Sequence, residues 1–373
     1  MKFIVNTATL LRHLKPLTGV IGNKVVIPIL EYLHFSVEDG VLTITSTDLE
    51  VTMRTSLKVE SRENGQVAVP SKIVQEILNE LPDQPITFTI NEGNNTIEIS
   101  SDNGKYKLAG ENAGDFPPFP FIEGGSHFGI KADVLANAIT STSFSIGTDE
   151  LRPSMTGLYV QLMNDEVRFV STDGNKLVLF KRTDAKSENN DSFILPKKTL
   201  TLLKNSLPTE NNSEVKLEYN KQNAHFSFGD LQLVCRLIDE RFPDYQSAIP
   251  TDTPNKLTVP RTELLSSLRR VAIFANKSTN QVRFKITGNE LLLAAQDMDY
   301  SSEGQERISC DYVGNDMEIG FNARFLLDML STLTADDVIL SMSEYNRPGV
   351  LRPGKQSDNS EILMLLMPIV INM

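Results

Sequence analysis

The chain has 373 residues, with 36 Lys and Arg against 48 Asp and Glu, a formal charge of −12 and 40% hydrophobic residues. This is globular composition, and it excludes a disordered, collagen-like or disulfide-stapled chain. Length predicts two or three domains, and the acidic balance argues against indiscriminate nucleic-acid binding while leaving room for a locally basic face.

The opening, MKFIVNTATLLRHLKPL, lacks the continuous apolar region of a secretory signal. At the other end, the apolar stretch from Ile362 to Ile371 is interrupted by Pro368 and is too short to span a bilayer. Cys235 and Cys310 cannot build a disulfide framework, so a reducing compartment is expected and both read as small buried hydrophobes. A soluble, cytoplasmic protein with no membrane partner is the expectation.

The chain repeats itself three times. Each unit opens alike: FIVNTATLLRHLKPLTGVIG from Phe3, FGIKADVLANAITSTSFSIG from Phe128 and LTVPRTELLSSLRRVAIFAN from Leu257. Each reads as a short strand, a polar cap and an amphipathic helix. The expected caps are Asn6 or Thr7, a residue of 131–133, and Thr262. Pro16, inside the first helix, should kink it.

A second block follows in each unit: LTITSTDLEVTM, VRFVSTDGNKLVLF and LLLAAQDMDYSSEG. Apolar alternation broken by a polar residue and Asp48, Asp173 or Asp297 reads as a strand, a tight turn and a returning strand. A third block, VAVPSKIVQEILNELP, FILPKKTLTLLKNSLP and EIGFNARFLLDMLSTL, places Pro70, Pro196 and Asn322 126 residues apart. It reads as a strand running into a second helix, with proline tolerated where the helix begins. GDFPPF and ERFPDY form a fourth match, with Phe116 and Phe242 again 126 apart.

The predicted fold is therefore α+β, three tandem repeats of antiparallel sheet with two helices each. Turn-rich segments at 119–127 and 249–255 place the boundaries, giving domains 1–122, 126–250 and 251–373. Ala185–Ser192 and Glu210–Glu214 read as solvated hairpin tips.

Charge is unevenly placed. Segments 196–208 and 260–277 carry +3 each, and the six helix segments are positive in sum although the chain is at −12. Three like domains joined end to end can curve into half of a ring. Helices on the inside would then make a basic lining, with acidic sheets outside. Such a lining holds phosphates without reading bases, and allows sliding.

These residues resemble a known family, the bacterial DNA polymerase III β subunit, or replicative sliding clamp. The matching stretches are MKF; GNKVVIPILEYL (22–33); LTITSTDLE (42–50); VP (69–70); GDFP (114–117); STDGNKL (171–177); RFPDY (241–245); EIGFN (318–322); and LMP (366–368). They run in order through all three repeats.

The resemblance implies a head-to-tail homodimeric ring of six domains around double-stranded DNA, without sequence preference and without a cofactor. It implies a non-catalytic processivity factor that tethers the replicative polymerase and is opened by a clamp loader. Other proteins with a short clamp-binding motif, a glutamine and apolar anchors, would share the site. For the dimer interface it implies Tyr106 and Leu108 on one side, Ile273 and Phe274 on the other. For partner peptides it implies Arg152, Thr172, Gly174, Leu177, Pro243, Met367, Pro368 and Ile369. For DNA it implies Lys24, Lys72, Lys197, Lys198, Lys277 and Arg283; helix placement adds Arg12, Lys15, Arg269 and Arg270.

Departures from the family pattern bear on peptide preference. Asn175 and Lys176 stand where members often have His and Arg, and Pro153, Ser154 and Met155 replace a more aromatic stretch. Ser247 and Ala248 replace larger residues, and residues 371–373 extend the tail.

Two other functional classes fit the sequence less well. The four histidines have no metal-ligand spacing, and no phosphate loop, G-x-S-x-G or C-x-x-C is present. Asp48 and Asp173 lie in equivalent turns of separate repeats, which argues against a paired-carboxylate hydrolase. A repeat scaffold without DNA is the third class, separable by retention on circular DNA.

Overall fold

The structure is a computed structural model that describes residues 1–22, 26–210 and 213–371. The first repeat contains β1 (Lys2–Asn6), α1 (Thr7–Thr18), β2 (Tyr32–Glu38), β3 (Val41–Thr47), β4 (Val51–Lys58), the short β5 (Glu60–Ser61), β6 (Gly65–Pro70), α2 (Ser71–Glu80), β7 (Pro85–Asn91), β8 (Thr96–Ser100) and β9 (Lys105–Ala109). The second contains β10 (Ser126–Lys131), α3 (Ala132–Thr142), β11 (Gly157–Leu162), β12 (Val167–Thr172), β13 (Lys176–Arg182), β14 (Asp191–Pro196), α4 (Lys197–Ser206), β15 (Glu214–Tyr219), β16 (Asn223–Phe228) and β17 (Leu231–Arg236). The third contains β18 (Asn255–Pro260), α5 (Arg261–Val271), β19 (Gln281–Thr287), β20 (Glu290–Asp297), β21 (Ser302–Ser309), β22 (Asp311–Val313), β23 (Met317–Asn322), α6 (Ala323–Thr332), β24 (Asp337–Met342), β25 (Gly349–Pro353) and β26 (Ser360–Leu366).

The three copies agree element by element, with α2, α4 and α6 starting 126 residues apart. Each copy is itself a doublet of strand, helix and three strands, apart from the short β5 and β22. This is the antiparallel sheet-and-helix architecture that the repeat pattern predicts.

Two compact units emerge, and they do not follow the repeat boundaries. One comprises Met1–Ala136 and Lys198–Leu237; the other comprises Asn137–Lys197 and Ile238–Met373. The first unit holds a five-stranded sheet, β5-β1-β7-β8-β9, and an eight-stranded sheet, β10-β15-β16-β17-β4-β3-β2-β6. The second holds a nine-stranded sheet, β14-β11-β12-β13-β26-β25-β24-β18-β22, and a four-stranded sheet, β21-β20-β19-β23. Strand pairing cuts the middle repeat in two: β17 pairs with β4, and β13 pairs with β26. The last strand of one repeat, β17 or β26, is thus covered by a mid-repeat strand of the repeat before it, β4 or β13, which protects its unpaired backbone groups.

Alternation decides which face is buried. On β2, Leu33, Phe35 and Val37 are buried; on β19, Val282, Phe284 and Ile286 are. In the first unit Phe3 stacks on Phe88 with centroids 4.9 Å apart; in the second Phe284 meets Phe321 edge-on at 5.6 Å. Such pairs contribute about 0.5–1.5 kcal/mol beyond area burial.

Asn6 caps α1 as expected, its side-chain oxygen accepting from Ala8 N at 3.0 Å and Thr9 N at 3.3 Å. Asn322 does the same for α6, accepting from Arg324 N and Phe325 N. Thr262 is not a cap: α5 begins at Arg261, and Pro260 stands before it with no side-chain bond. Pro16 falls in the last turn of α1, where it brings no N–H to the Arg12 carbonyl one turn earlier.

The segment after β9 is a strap across the eight-stranded sheet. Glu111 bridges to Ala68 of β6. Phe116 then lies 5.3 Å from the ring of His34, and Phe119 6.0 Å from the ring of His225. The Arg54 guanidinium sits 3.8 Å above Phe119. His34 lies on the opposite face of its strand from Leu33 and Phe35, so the strap covers the face that the main core does not.

Candidate functional site

All eight residues expected to receive a partner peptide belong to the second unit. The centre of the site is the turn between β12 and β13. The Thr172 hydroxyl donates to Lys176 O at 2.7 Å and accepts from Gly174 N at 3.1 Å. Asp173 Oδ1 accepts from Asn175 N at 2.8 Å and Lys176 N at 2.9 Å. Gly174 has φ +91°, a conformation that side chains resist. A Cβ there would stand 2.8 Å from an Arg152 guanidinium nitrogen, so Arg152 lies directly against the turn.

Arg152 is itself oriented by Asp149, whose Oδ2 accepts from Arg152 Nε at 2.9 Å. The Asp149 carboxyl is held below its ordinary range, first by the Leu151 N–H and then by Arg152. Leu177 is 4% exposed, packed among Val170, Leu179, Phe242, Tyr245 and Leu365. It is a wall of the core here and an anchor surface only if that wall opens. Pro243, half-buried, follows Phe242, whose ring stacks on Tyr159 at 4.6 Å.

The C-terminal segment joins these parts. Met367 N donates to Asn175 O at 2.8 Å, next to Gly174, and Ile369 N donates to Gly320 O of β23 at 2.8 Å. Met367 is 40% exposed and Pro368 is half-buried. The structure thus brings Arg152, Thr172, Gly174 and Met367 around one turn and sets Leu177 behind them. Sequence reasoning named Lys176 only as a departure from the family's residue and missed its burial and its partner Phe325. Lys176 is 7% exposed, its ammonium 2.8 Å from Asp173 Oδ2 and 4.0 Å from the ring centre of Phe325. A lysine leading the apolar run Leu177–Phe180 was the available signal.

The DNA-facing candidates separate by environment. Lys72, the second residue of α2, and Lys197, the first of α4, are exposed. Lys198 is half-buried: its ammonium donates to Val20 O at 2.5 Å and is ion-paired with Asp48. Lys277 is exposed, 5.4 Å from the ring centre of Tyr300. Arg283 is in a strand rather than on a helix or loop. It lies on β19 between buried Val282 and Phe284, hence on the opposite face, where it pairs with Glu318 at 3.3 Å. Lys24 lies outside the described residues.

Arg12 and Lys15 of α1 are exposed and line a cleft of about 500 Å³ with Asn205 and Ser206 of α4. In the second unit Arg269 is exposed. Arg270 is paired with Glu306 of β21 at 2.5 Å, which raises the guanidinium pKa and lowers the carboxyl's.

Each expected interface patch lies on an edge of its own unit. β9 is the outermost strand of the five-stranded sheet, with Tyr106 half-buried and Leu108 only 9% exposed. β21 is the outermost strand of the four-stranded sheet. Beside it, Ile273 and Phe274 belong to a 3-10 turn after α5 and are 77% and 36% exposed. The Phe274 ring covers Gly304 of β21, where a Cβ would clash with it.

Among the described residues, no helix is long and apolar enough to cross a membrane, and no three His, Cys, Asp or Glu are grouped to hold a metal.

Three family models match in tandem: the N-terminal, central and C-terminal domains of the DNA polymerase III beta subunit, at residues 1–120, 129–244 and 246–369. A beta sliding clamp of Proteus mirabilis is 30% identical, over 92% of this chain and 94% of its own. One from Synechocystis sp. is 26% identical over 99% of both. Among solved structures, the DnaN sliding clamp of Bartonella birtlesii bound to griselimycin superposes with TM-score 0.94 at 27% identity, covering both chains completely. The beta subunit of Thermotoga maritima gives 0.91 at 27%, again with full coverage. With three domain models matching in order over nearly all of its length, this chain belongs to the DNA polymerase III beta subunit family.

Proposed function

We propose that this chain closes head to tail with a second copy into a ring around duplex DNA and receives partners at the turn beside Met367. The family is that of the DNA sliding clamp, a processivity factor with no catalytic activity of its own. The tandem match of all three domains carries the reading. The repeats 1–122, 126–250 and 251–373 are its ring domains, six in the dimer. The two edges, β9 with Tyr106 and β21 with Ile273 and Phe274 beside it, supply dissimilar surfaces that close only by rotation.

Exposed Lys72, Lys197 and Lys277 favour a lining that holds phosphates, joined by Arg12, Lys15 and Arg269. Arg283 is left out of that set because its strand turns it to the other sheet face. The polymerase, a clamp loader and other proteins with a short glutamine-and-apolar motif are the partners, and the cytoplasm is the compartment.

The test is native mass combined with retention on nicked circular duplex after loading by a clamp loader. A dimer mass and retention that linearisation abolishes are the expected result. A monomer that leaves circular and linear DNA equally fast overturns the ring. For the peptide site, Met367→Ala and Leu177→Ala should each weaken a labelled short peptide carrying a glutamine ahead of leucine and phenylalanine. Unchanged affinity in both moves the site elsewhere.

A further inference from the structure

We propose that Lys176 is a positioning residue of the partner-peptide site, pinning the turn from Thr172 to Leu177 onto helix α6 through Asp173 and Phe325. The inference rests on the reading of that turn as the peptide site.

Lysine is almost never buried without partners. Lys176 has two, from different repeats. One is Asp173 of its own turn, at 2.8 Å; the other is the Phe325 ring in the first turn of α6, at 4.0 Å. An ammonium over an aromatic face is attracted by the ring's quadrupole, more strongly when water is kept out. The lysine backbone closes the same turn, its N–H donating to Asp173 and its carbonyl accepting from Thr172. Lys176 is also in register with Leu366, the residue before Met367. Asn175, its other neighbour, accepts from Met367 N.

The first repeat shows that the turn does not need this lysine in order to form. There Val51 takes the place of Lys176 and makes the same backbone bonds to Thr47 and Asp48. The side chain of Lys176 therefore adds something beyond the turn: it fixes the turn against the third repeat, on which Gly320 anchors Ile369. A peptide lying over Gly174 and Met367 would meet a surface that has been made rigid in advance, and pre-organisation raises affinity without new contacts.

The test uses the full-length protein and the same labelled peptide. Lys176→Met keeps the stem and removes the charge; it should weaken binding roughly tenfold. Lys176→Arg can keep both the ion pair and the ring contact, and should restore affinity. Phe325→Leu removes the ring while leaving the ion pair; it should give an intermediate loss and reports even if Lys176→Met folds poorly. Rescue by arginine separates positioning from simple packing, because arginine is larger than lysine and does not fill the space better. Wild-type affinity in Lys176→Met, or in Phe325→Leu, while Leu177→Ala binds weakly, overturns this proposal and leaves the site in place. Wild-type affinity in Leu177→Ala and Met367→Ala overturns the site itself, and this proposal with it.

Discussion

Asp48 and Asp173 occupy the same turn in consecutive repeats, with the same four hydrogen bonds around each, yet their second carboxylate oxygens go to different lysines. Asp48 Oδ1 accepts from Glu50 N and Val51 N, while Thr47 donates to Val51 O and accepts from Leu49 N. Asp173 and Thr172 repeat this bond for bond. Asp48 Oδ2 then pairs with Lys198 of α4, whereas Asp173 Oδ2 pairs with Lys176 of its own turn. A self-contained turn motif thus leaves one acceptor free for tertiary use, and each repeat has filled it differently.

Lys198 is accordingly a structural cation before it is a DNA contact. Its ammonium also satisfies Val20 O just after α1. Both members of the ion pair keep some solvent access, so Lys198→Ala should lower stability by about 1 kcal/mol. Lys72→Ala, at an exposed helix position, should stay within about 0.5 kcal/mol. In DNA retention, Lys72→Ala should reduce the salt dependence, as loss of one phosphate contact does. Urea titrations paired with retention at two salt concentrations check both. Equal stability losses in the two variants would remove the distinction.

Gly174 and Leu49 stand at one position of that turn, with φ +91° and +77°. A non-glycine residue in the left-handed region costs about 1–2 kcal/mol. Gly174→Ala should therefore destabilise by about that amount, and it should also push Arg152 aside, since the new Cβ meets its guanidinium. Leu49→Gly should move stability the other way by less, because glycine's freedom in the unfolded chain offsets part of the relief. Thermal midpoints of the two variants read the opposite signs directly.

The four expected interface residues should behave differently from one another. Leu108 is in register with Ile97 and nearly closed to solvent, so Leu108→Asp should damage its own unit by roughly 3 kcal/mol or more. Ile273 is 77% exposed, so Ile273→Asp should leave the unfolding midpoint of the monomer unchanged while shifting native mass from dimer to monomer. Native mass spectrometry with calorimetry separates the outcomes. A dimer that survives Ile273→Asp would place the contact elsewhere.

Much of this was legible in the sequence because the repeat is local in character. Alternation around Asp48, Asp173 and Asp297 gives hairpins at a nearly fixed spacing, and Asn6 gives a cap through bonds to the next few residues; the cap at Asn322 was not among those expected. The union of β17 with β4 was not legible, since pairing between distant strands leaves no mark in either strand. Nor were the partners of Lys176 and Lys198, which depend on where a helix from another segment arrives. Arg283 is a different case. The period of two in VRFKI already turns Arg283 away from buried Val282 and Phe284, whereas the family resemblance alone places it among the DNA contacts.

The strap after β9 should make the first unit sensitive to acid. His34 and His225 are half-buried beneath Phe116 and Phe119. Burial is the main cause that lowers both pKa values, and Arg54 adds to it; for His34 the Gln66 bond, and for His225 the Glu218 charge, act in the opposite direction. His13 is lowered too, by burial and Arg12. A depressed histidine pKa means that the unfolded chain takes the proton first. Stability is therefore complete above about pH 6.5 and falls as pH drops through the lowered folded values. Protonation would also set His34, Arg54 and His225 as three cations along the strap, with Glu218 the carboxylate facing His225. Hydrogen exchange at residues 112–122, taken relative to the intrinsic amide rate at each pH, should rise between pH 7 and pH 5, as unfavourable charge loosens Phe116 and Phe119, before global unfolding does. Replacing both histidines, as His34→Gln with His225→Gln, should flatten that rise while leaving the separate contribution of His13 to the global midpoint. If exchange in the strap, relative to the intrinsic amide rate, is independent of pH in the wild type, the histidines do not control it.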